Sequence, residues 1–187
     1  LVGAIIILPK AQPKVVNINY DVSTELGTKT RYYLKYRSYL TDHALREAAR
    51  CVSLLPMHPS FGTWQALLRY KPTVASTYTN KMVKITPHQS PGSRMNNMMR
   101  ITDETGARQF YDQKLYYTDY HFCRVLVEQF NGARHCSLWV SPERRKGAIP
   151  RSCSEAYSQI CTVMHHIDDT ERCPKLHTLY CTRIELK

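Results

Sequence analysis

The sequence predicts a mostly β fold, an antiparallel barrel or sandwich, with one α-helix near its C-terminal end. Three observations support this prediction: a tyrosine-rich run with a two-residue period is followed by further strand-like runs, turn-forming segments separate these runs, and one helical pattern follows them. Short strands at regular spacing are typical of antiparallel barrels and sandwiches. The chain has 187 residues, a length that suits a single domain.

The clearest strand pattern is the tyrosine-rich run Arg31–Leu40. Tyr32, Leu34 and Tyr36 alternate there with Tyr33, Lys35 and Arg37, so that one face is more polar than the other. The other strand-like runs are Trp64–Tyr70, Val74–Ile85, Met95–Ile101, Gln109–Thr118, Cys123–Phe130 and Cys136–Ser141. Turn residues lie between them, at Pro87–Gly92, Asp103–Gly106 and Asn131–Gly132.

One helix is predicted after the strands. Ser152 and Glu155 have the spacing of a capping box, in which each side chain hydrogen-bonds a free backbone N–H of the first turn. Apolar residues then recur at helical spacing on one face, and these are Cys153, Ala156, Tyr157, Ile160, Cys161 and Met164. We expect this face to pack against the outside of the β-structure.

The N-terminus and the cysteines indicate secretion. Leu1–Leu8 is an apolar run of signal-peptide length, and we interpret residues 1–11 as the remnant of a secretory signal peptide. A buried N-terminal strand of the mature fold is the alternative. No later segment has the apolar length of a membrane span. The seven cysteines form no CxxC pairs, a pattern that favours disulfides over a zinc ribbon.

Enzymatic and metal-binding functions have weak support. The sequence has no glycine-rich phosphate loop, no G-x-S-x-G elbow and no H-E-x-x-H helix. Cys161 and His165 have a spacing that could place two metal ligands on one helical face, but no second such pair accompanies them. We therefore expect no enzyme activity, no cofactor and no metal.

The net charge of +11 permits an anionic partner. The densest basic cluster is Glu143–Lys146 together with Arg151. It is either a solvated basic face or a surface for an anionic ligand, and the sequence leaves both interpretations open.

Several segments resemble the salivary lipocalins of ticks, the histamine-binding protein family. They are Tyr117–Cys123 (YTDYHFC), Cys136–Ser141 (CSLWVS), Ile149–Cys153 (IPRSC), and Arg31–Leu34 (RYYL) ahead of Cys51–Ser53 (CVS). The resemblance covers roughly residues 21–173, and we assign residues 18–187 to this domain. It implies a closed eight-stranded lipocalin barrel with a ligand cavity, a helix packed outside, and secretion.

The resemblance also implies disulfides. Cys51 would bond with Cys173, and Cys123 with Cys153. Among the three remaining cysteines, we expect Cys136 to bond with the tail residue Cys181 and Cys161 to remain a buried thiol. The expected state is a monomer, and an unpaired cysteine forming a dimer is the alternative.

The ligand-binding motif differs from that of amine-binding relatives. Arg124 occupies the position of an acid, Ser137 that of an inward glutamate, and Leu45 that of a tryptophan. Asp42 is retained, and Asp112 matches a second pocket acid if the alignment shifts by one residue. The candidate ligand-binding residues are Asp42, Asp112, Tyr33, Tyr36, Tyr116, Ser137 and Trp139. Because side chains alternate along a strand, we expect only one of Tyr116 and Tyr117 to face the cavity.

The resemblance implies a secreted protein that binds a small host mediator in its barrel and lowers its free concentration. The ligand would be a biogenic amine such as histamine or serotonin, or a lipid mediator such as a leukotriene. The alternative is an interaction protein, in which the barrel is a scaffold and the basic surface binds a host protein or an anionic surface. We expect no nucleic-acid partner.

Overall fold

The computed structural model describes residues 19–45, 48–169 and 172–173, and these residues form a closed antiparallel β-barrel. The barrel closes because the first strand, Tyr32–Arg37 (β1), pairs with Arg50–Ser60 (β2) on one side and with Ala133–Val140 (β8) on the other. The strands between them are Thr63–Lys71 (β3), Thr79–His88 (β4), Met98–Asp103 (β5), Gln109–Thr118 (β6) and Cys123–Phe130 (β7). A ninth short strand, His165–His166 (β9), pairs with β1 outside the barrel.

The mostly β fold with a closed barrel is confirmed, although individual elements differ from the prediction. Gln109–Thr118 and Cys123–Phe130 have the predicted bounds. The sequence analysis missed β2, whose Pro56 and Pro59 lack the N–H that a ladder needs. A register shift between Pro56 and His58 accommodates them in the sheet.

A short helix, Val22–Gly27 (α1), closes one end of the barrel and was also missed. Asp21 caps it by accepting a hydrogen bond from the Ser23 backbone N–H at 2.8 Å. The Val22 N–H donates to the Asn96 carbonyl at 2.8 Å, so α1 is tied to the loop between β4 and β5. We call this the closed end. The opposite end, covered by the loop between β1 and β2, is called the open end.

The second helix, Arg151–Ser158 (α2), packs outside the barrel as expected, but the predicted capping box is wrong. Pro150 is the N-cap and makes no side-chain capping bond, while Ser152 and Glu155 lie inside the helix. Glu155 instead accepts a hydrogen bond from Arg151. The helix ends at Ser158, so the predicted continuation to Met164 is wrong as well. Among the described residues, neither helix is long and apolar enough to cross a membrane.

Two β-bulges change which side chains face the interior. In β1 the register with β8 shifts between Leu34 and Tyr36, which interrupts the alternation at Lys35. As a result Tyr36 lies on the outer face, in the cluster beneath α2, while Arg37 is fully buried. In β6 the register with β7 shifts between Leu115 and Tyr117.

Three disulfides join the barrel to the segments around it. Cys51–Cys173 and Cys123–Cys153 are the pairings that the resemblance implies. The third bond joins Cys136 to Cys161. The expected Cys136–Cys181 pairing and the expected free thiol at Cys161 are therefore wrong, and Cys181 lies outside the described residues. The chain leaves α2 just before Cys161, which brings this sulfur onto β8.

Peptide mapping of the non-reduced protein should identify a Cys136–Cys161 crosslinked peptide, and a Cys136–Cys181 peptide would contradict the structure. The double variant Cys136→Ser/Cys161→Ser should lower the free energy of unfolding by about 3 kcal/mol, because the bond closes a loop of 25 residues. Urea unfolding measures this loss.

Candidate ligand site in the barrel

A cavity of about 20 Å³ lies in the middle of the barrel. Its wall is largely aliphatic, and Leu34, Leu54 and Leu126 contribute to it. Asp42 and Trp139 also line it. The volume suits about one water molecule, whereas pockets for small organic ligands are typically several hundred Å³. A ligand of that size can therefore enter only when wall side chains move apart.

Asp42 anchors the loop that covers the open end. Its carboxylate accepts hydrogen bonds from the backbone N–H groups of Ala44 and Leu45 at 3.0 and 2.9 Å. It also accepts the Tyr111 hydroxyl at 2.8 Å and pairs with Arg37 at 3.3 Å. Because both oxygens have partners and the charge is balanced, this carboxylate holds the loop and is not free for a ligand.

Arg37 completes this anchor from the strand side. Its guanidinium donates to the carbonyls of Tyr39 and Leu40 at 2.9 and 2.5 Å, in addition to Asp42. The side chain is fully buried, so removing Asp42 would leave an uncompensated cation in the interior.

Glu128 is the carboxylate near the open end that retains binding capacity. It projects inward from β7 and is only 7% exposed. Its Oε1 accepts the Asp112 backbone N–H at 3.1 Å and lies 3.5 Å from His43 Nε2. Its Oε2 makes no hydrogen bond of regular geometry with the described residues, although the nearby Gln113 side chain favours the ionised form. Burial raises the pKa of Glu128 to about 7. A buried acceptor without a partner is unfavourable, so this oxygen is suited to a ligand donor.

The His43 ring beside this carboxylate belongs to an aromatic cluster. The His43 ring stacks on Phe130 with centroids 4.0 Å apart and packs edge-on against Tyr111 at 5.4 Å. Flat apolar surfaces beside an acceptor can bind an aromatic ligand that carries a cationic group.

Three of the seven sequence-predicted residues lie inside the barrel. Asp42 and Trp139 line the cavity, and the Ser137 hydroxyl accepts the Trp139 indole N–H at 2.9 Å.

The other four candidates do not line this cavity, although Asp112 lines a second pocket at the open end together with Glu128. Tyr33 packs beneath α2, with Arg145 4.2 Å above its ring. The Tyr36 ring contacts His166, and Tyr116 donates to Gln159. Asp112 pairs with His88 at 2.7 Å and with Arg100 at 3.0 Å.

The bulges explain part of this difference. Tyr36 would face inward in a regular strand, but the interruption at Lys35 turns it outward. The bulge in β6 similarly directs Thr118 inward and leaves Tyr117 outside, so neither Tyr116 nor Tyr117 faces the cavity.

The sequence analysis did not predict Glu128 and Tyr111 as site residues. For Glu128, the strand alternation on β7 could have indicated an inward position. Arg124 occupies an inward position of the family motif, and alternation places Leu126 and Glu128 on the same face of the strand. Tyr111 carried no comparable signal.

The cysteine–histidine spacing and the basic cluster noted in the sequence have structural explanations. Cys161 is bonded to Cys136 and cannot act as a metal ligand. Within the basic cluster, Arg145 is buried and makes two hydrogen bonds to Asp168, at 2.7 and 2.8 Å. Arg151 pairs with Glu155 on the surface. The cluster therefore presents less free charge than its sequence suggests.

The pKa of Glu128 predicts a pH-dependent stability. Because its folded pKa of about 7 exceeds the ordinary value of 4.5, the folded state holds more protons between these values and stability falls as the pH rises. Relative to Glu128→Gln, the wild type should lose roughly 3 kcal/mol between pH 4.5 and 8. Urea unfolding at several pH values measures this difference, and the exposed Glu155→Gln is the control. Parallel profiles for the wild type and Glu128→Gln would contradict the prediction.

Comparisons with known structures agree with the barrel. Japanin from Rhipicephalus appendiculatus, solved with cholesterol, has a TM-score of 0.56 and 19% identity over 78% of this chain and 95% of that chain. The cockroach allergen Per a 4 has a TM-score of 0.55 and 9% identity over 85% and 95%. A biogenic amine-binding protein has a TM-score of 0.53 and 13% identity over 83% and 86%. At these identities the likeness establishes the fold.

Among curated proteins, no sequence matches significantly. The model of one protein family, described as tick histamine binding protein, matches residues 13–173. This match includes every strand of the barrel and both helices. The chain therefore belongs to the tick histamine-binding protein family.

Proposed function

We propose that the protein is a secreted carrier that binds an aromatic biogenic amine, such as histamine or serotonin, at the open end of its barrel and so sequesters a host mediator. The observation that carries the proposal is the inward carboxylate of Glu128, whose Oε2 makes no hydrogen bond of regular geometry within the part of the chain that the structure describes. Family membership supports binding of a small ligand in general. The contacts around Glu128 support the choice of an amine.

The protonation of Glu128 favours a cationic ligand over a neutral one. With a pKa of about 7, this group is partly protonated at neutral pH in the unliganded protein. An ammonium placed beside it would favour the ionised form and lower its pKa. The resulting ion pair would be buried, with Oε1 still held by the Asp112 backbone N–H.

The loop anchored by Asp42 lies where an amine would enter. Tyr39 and Asp42 both line the cavity, and Ala44 is tied back to Asp42. Movement of this loop would enlarge the cavity without breaking the barrel ladders. We propose that Asp42 acts as the hinge anchor of the entry loop, whereas Glu128 contacts the ligand.

Secretion is supported by the three disulfides, since such bonds persist in oxidising compartments. The expected signal-peptide remnant, residues 1–11, lies outside the described residues and remains part of the proposal. The role in countering host defence follows from the family and is proposed on that basis.

Two alternatives, a lipid mediator in the barrel and a partner on the basic surface, have less support. The aliphatic wall of the cavity would suit the apolar body of a lipid mediator, but an acid at the open end favours a cation. The alternative of a basic interaction surface is weakened by Arg145, since its charge is balanced by Asp168.

Glu128 and Asp112 are two acids whose roles in ligand binding the sequence alone does not distinguish, and mutation separates them. Titration calorimetry with histamine, serotonin and tryptamine at pH 7.5 should detect binding of at least one amine. Glu128→Gln should weaken that binding about 30-fold or more, because a buried charged partner is lost. Asp112→Asn should lower the affinity much less, since this side chain lines the same pocket but is already paired with His88 and Arg100.

Equal losses in both variants would contradict the assignment of Glu128. Absence of amine binding by the wild type, while its three disulfides are intact by mass spectrometry, would overturn the proposed ligand class.

A further inference from the structure

Three cationic side chains lie together on the outer face of the barrel, and we call Arg31, Arg69 and Lys71 the outer cationic cluster. Arg69 and Lys71 alternate with the buried residues of β3 and therefore point outward. The Arg31 guanidinium donates to the Ser53 hydroxyl at 3.3 Å, and Ser53 is the ladder neighbour of Arg69. Within the described part of the chain, none of the three cations forms a salt bridge.

Tyr78 holds two of these cations in place. Its ring centroid lies 4.0 Å from Arg69 Cζ and 5.3 Å from Lys71 Nζ. Lys71 also donates to the Val74 carbonyl of the same loop at 3.4 Å. The Arg69 Nε is buried and has no hydrogen-bond partner among the described residues. A guanidinium stacked on a ring is already ordered, so it loses less side-chain entropy when it binds an acceptor.

The charges of this cluster are not balanced by the protein around it. Burial lowers the pKa of Arg31, and the positive charge of Arg69 lowers it further, although Tyr33 opposes both effects. Asp168 acts on Tyr78 from the same side of the barrel, but it already accepts two hydrogen bonds from Arg145. Neighbouring cations that are partly removed from water repel each other, and a bound anion relieves this repulsion.

The donors of the cluster match a sulfate ester. Two guanidinium groups offer paired N–H donors to a tetrahedral oxyanion, and the Lys71 ammonium adds a compact charge. Lys71 follows Arg69 by two residues on one face of β3, a distance of about 7 Å, so the cations form a short row along the strand. A row of cations suits a linear polyanion, and the net charge of +11 attracts one.

We propose that Arg31, Arg69 and Lys71 bind sulfate esters of an extracellular polysaccharide, which retains the protein at cell and matrix surfaces. The site differs from the segment Glu143–Lys146, where Asp168 balances the charge of Arg145. It lies on the outside of the barrel, so the proposal is independent of the amine site at Glu128 and leaves the interior free for a ligand.

Titration calorimetry with a heparin octasaccharide at an ionic strength of about 0.15 M tests the site. The wild type should bind, and the double variant Arg31→Gln/Arg69→Gln should bind about 30-fold or more weakly, because two charge-assisted contacts are lost. The matched control Arg94→Gln/Lys146→Gln removes two charges from exposed residues elsewhere and should bind within about threefold of the wild type. Equal losses in the two double variants, or no binding by the wild type, would overturn the proposal.

A conservative variant keeps the test valid if the double variant fails to fold. Arg69→Lys retains the charge but replaces the planar donor pair that stacks on Tyr78. It should bind the octasaccharide several-fold more weakly, while its thermal unfolding stays close to that of the wild type. Wild-type affinity in Arg69→Lys would contradict the guanidinium contact.

Two further probes identify the anion. Chemically desulfated heparin keeps the carboxylates of the chain and should bind at least tenfold more weakly than the sulfated octasaccharide. Equal binding of the two, or tighter binding of a DNA duplex, would overturn the assignment to sulfate esters.

The same variants separate this proposal from the proposed function. Amine binding should remain unchanged in Arg31→Gln/Arg69→Gln, and Glu128→Gln should bind the octasaccharide as the wild type does. Loss of both activities in either variant would contradict the independence of the two sites.

Discussion

The ion pair between Arg37 and Asp42 sets the conformation of the open end. It exists because the bulge at Lys35 turns Arg37 into the barrel, where Asp42 and two loop carbonyls bind it. Without the bulge, alternation would direct this cation to the outer face and the loop would lose its anchor. Breaking such a buried pair typically costs about 3–5 kcal/mol, because the remaining charge stays buried. The cavity beneath the loop is therefore shaped by a backbone irregularity as much as by its side chains.

The interior has charged groups at both ends and an aliphatic middle. Glu128 faces the open end and Arg124 the closed end, four residues apart on the same strand, a separation of about 13 Å. Each retains polar atoms without hydrogen-bond partners among the described residues, whereas Asp42 and Arg37 are fully engaged. Stability alone would favour satisfied or apolar groups at these positions. Glu128 lines a pocket at the open end, where its unsatisfied oxygen favours a binding role. Arg124 is instead enclosed beside Glu25.

The fold was largely predictable from the sequence, whereas the site was only partly so. The strand-like runs of β6 and β7 could be located because they are rich in apolar and aromatic residues, contain no proline and are bounded by turn segments. The β2 strand was not predicted because its two prolines lack the N–H groups that a regular ladder needs. A register shift accommodates them in the sheet. Tyr36 was expected to face the cavity because the amino-acid sequence gives no sign of the bulge at Lys35. Disulfide connectivity cannot be derived from cysteine spacing, and the pairing of Cys161 depends on where α2 ends.

The charges along β7 differ from those of the amine-binding pattern while the family fold is kept. In the amine-binding pattern that the sequence resembles, carboxylates occupy the positions of Arg124 and Ser137, which lie towards the closed end. Here Arg124 reverses that charge, and Glu128 supplies a carboxylate two inward positions further along the strand. Because alternate residues of one strand share a face, this change requires no alteration of the barrel. The interior of this barrel therefore carries its charges in another order along β7 than the pattern that the sequence resembles, with Arg124 paired to Glu25 at the closed end and a carboxylate at the open end.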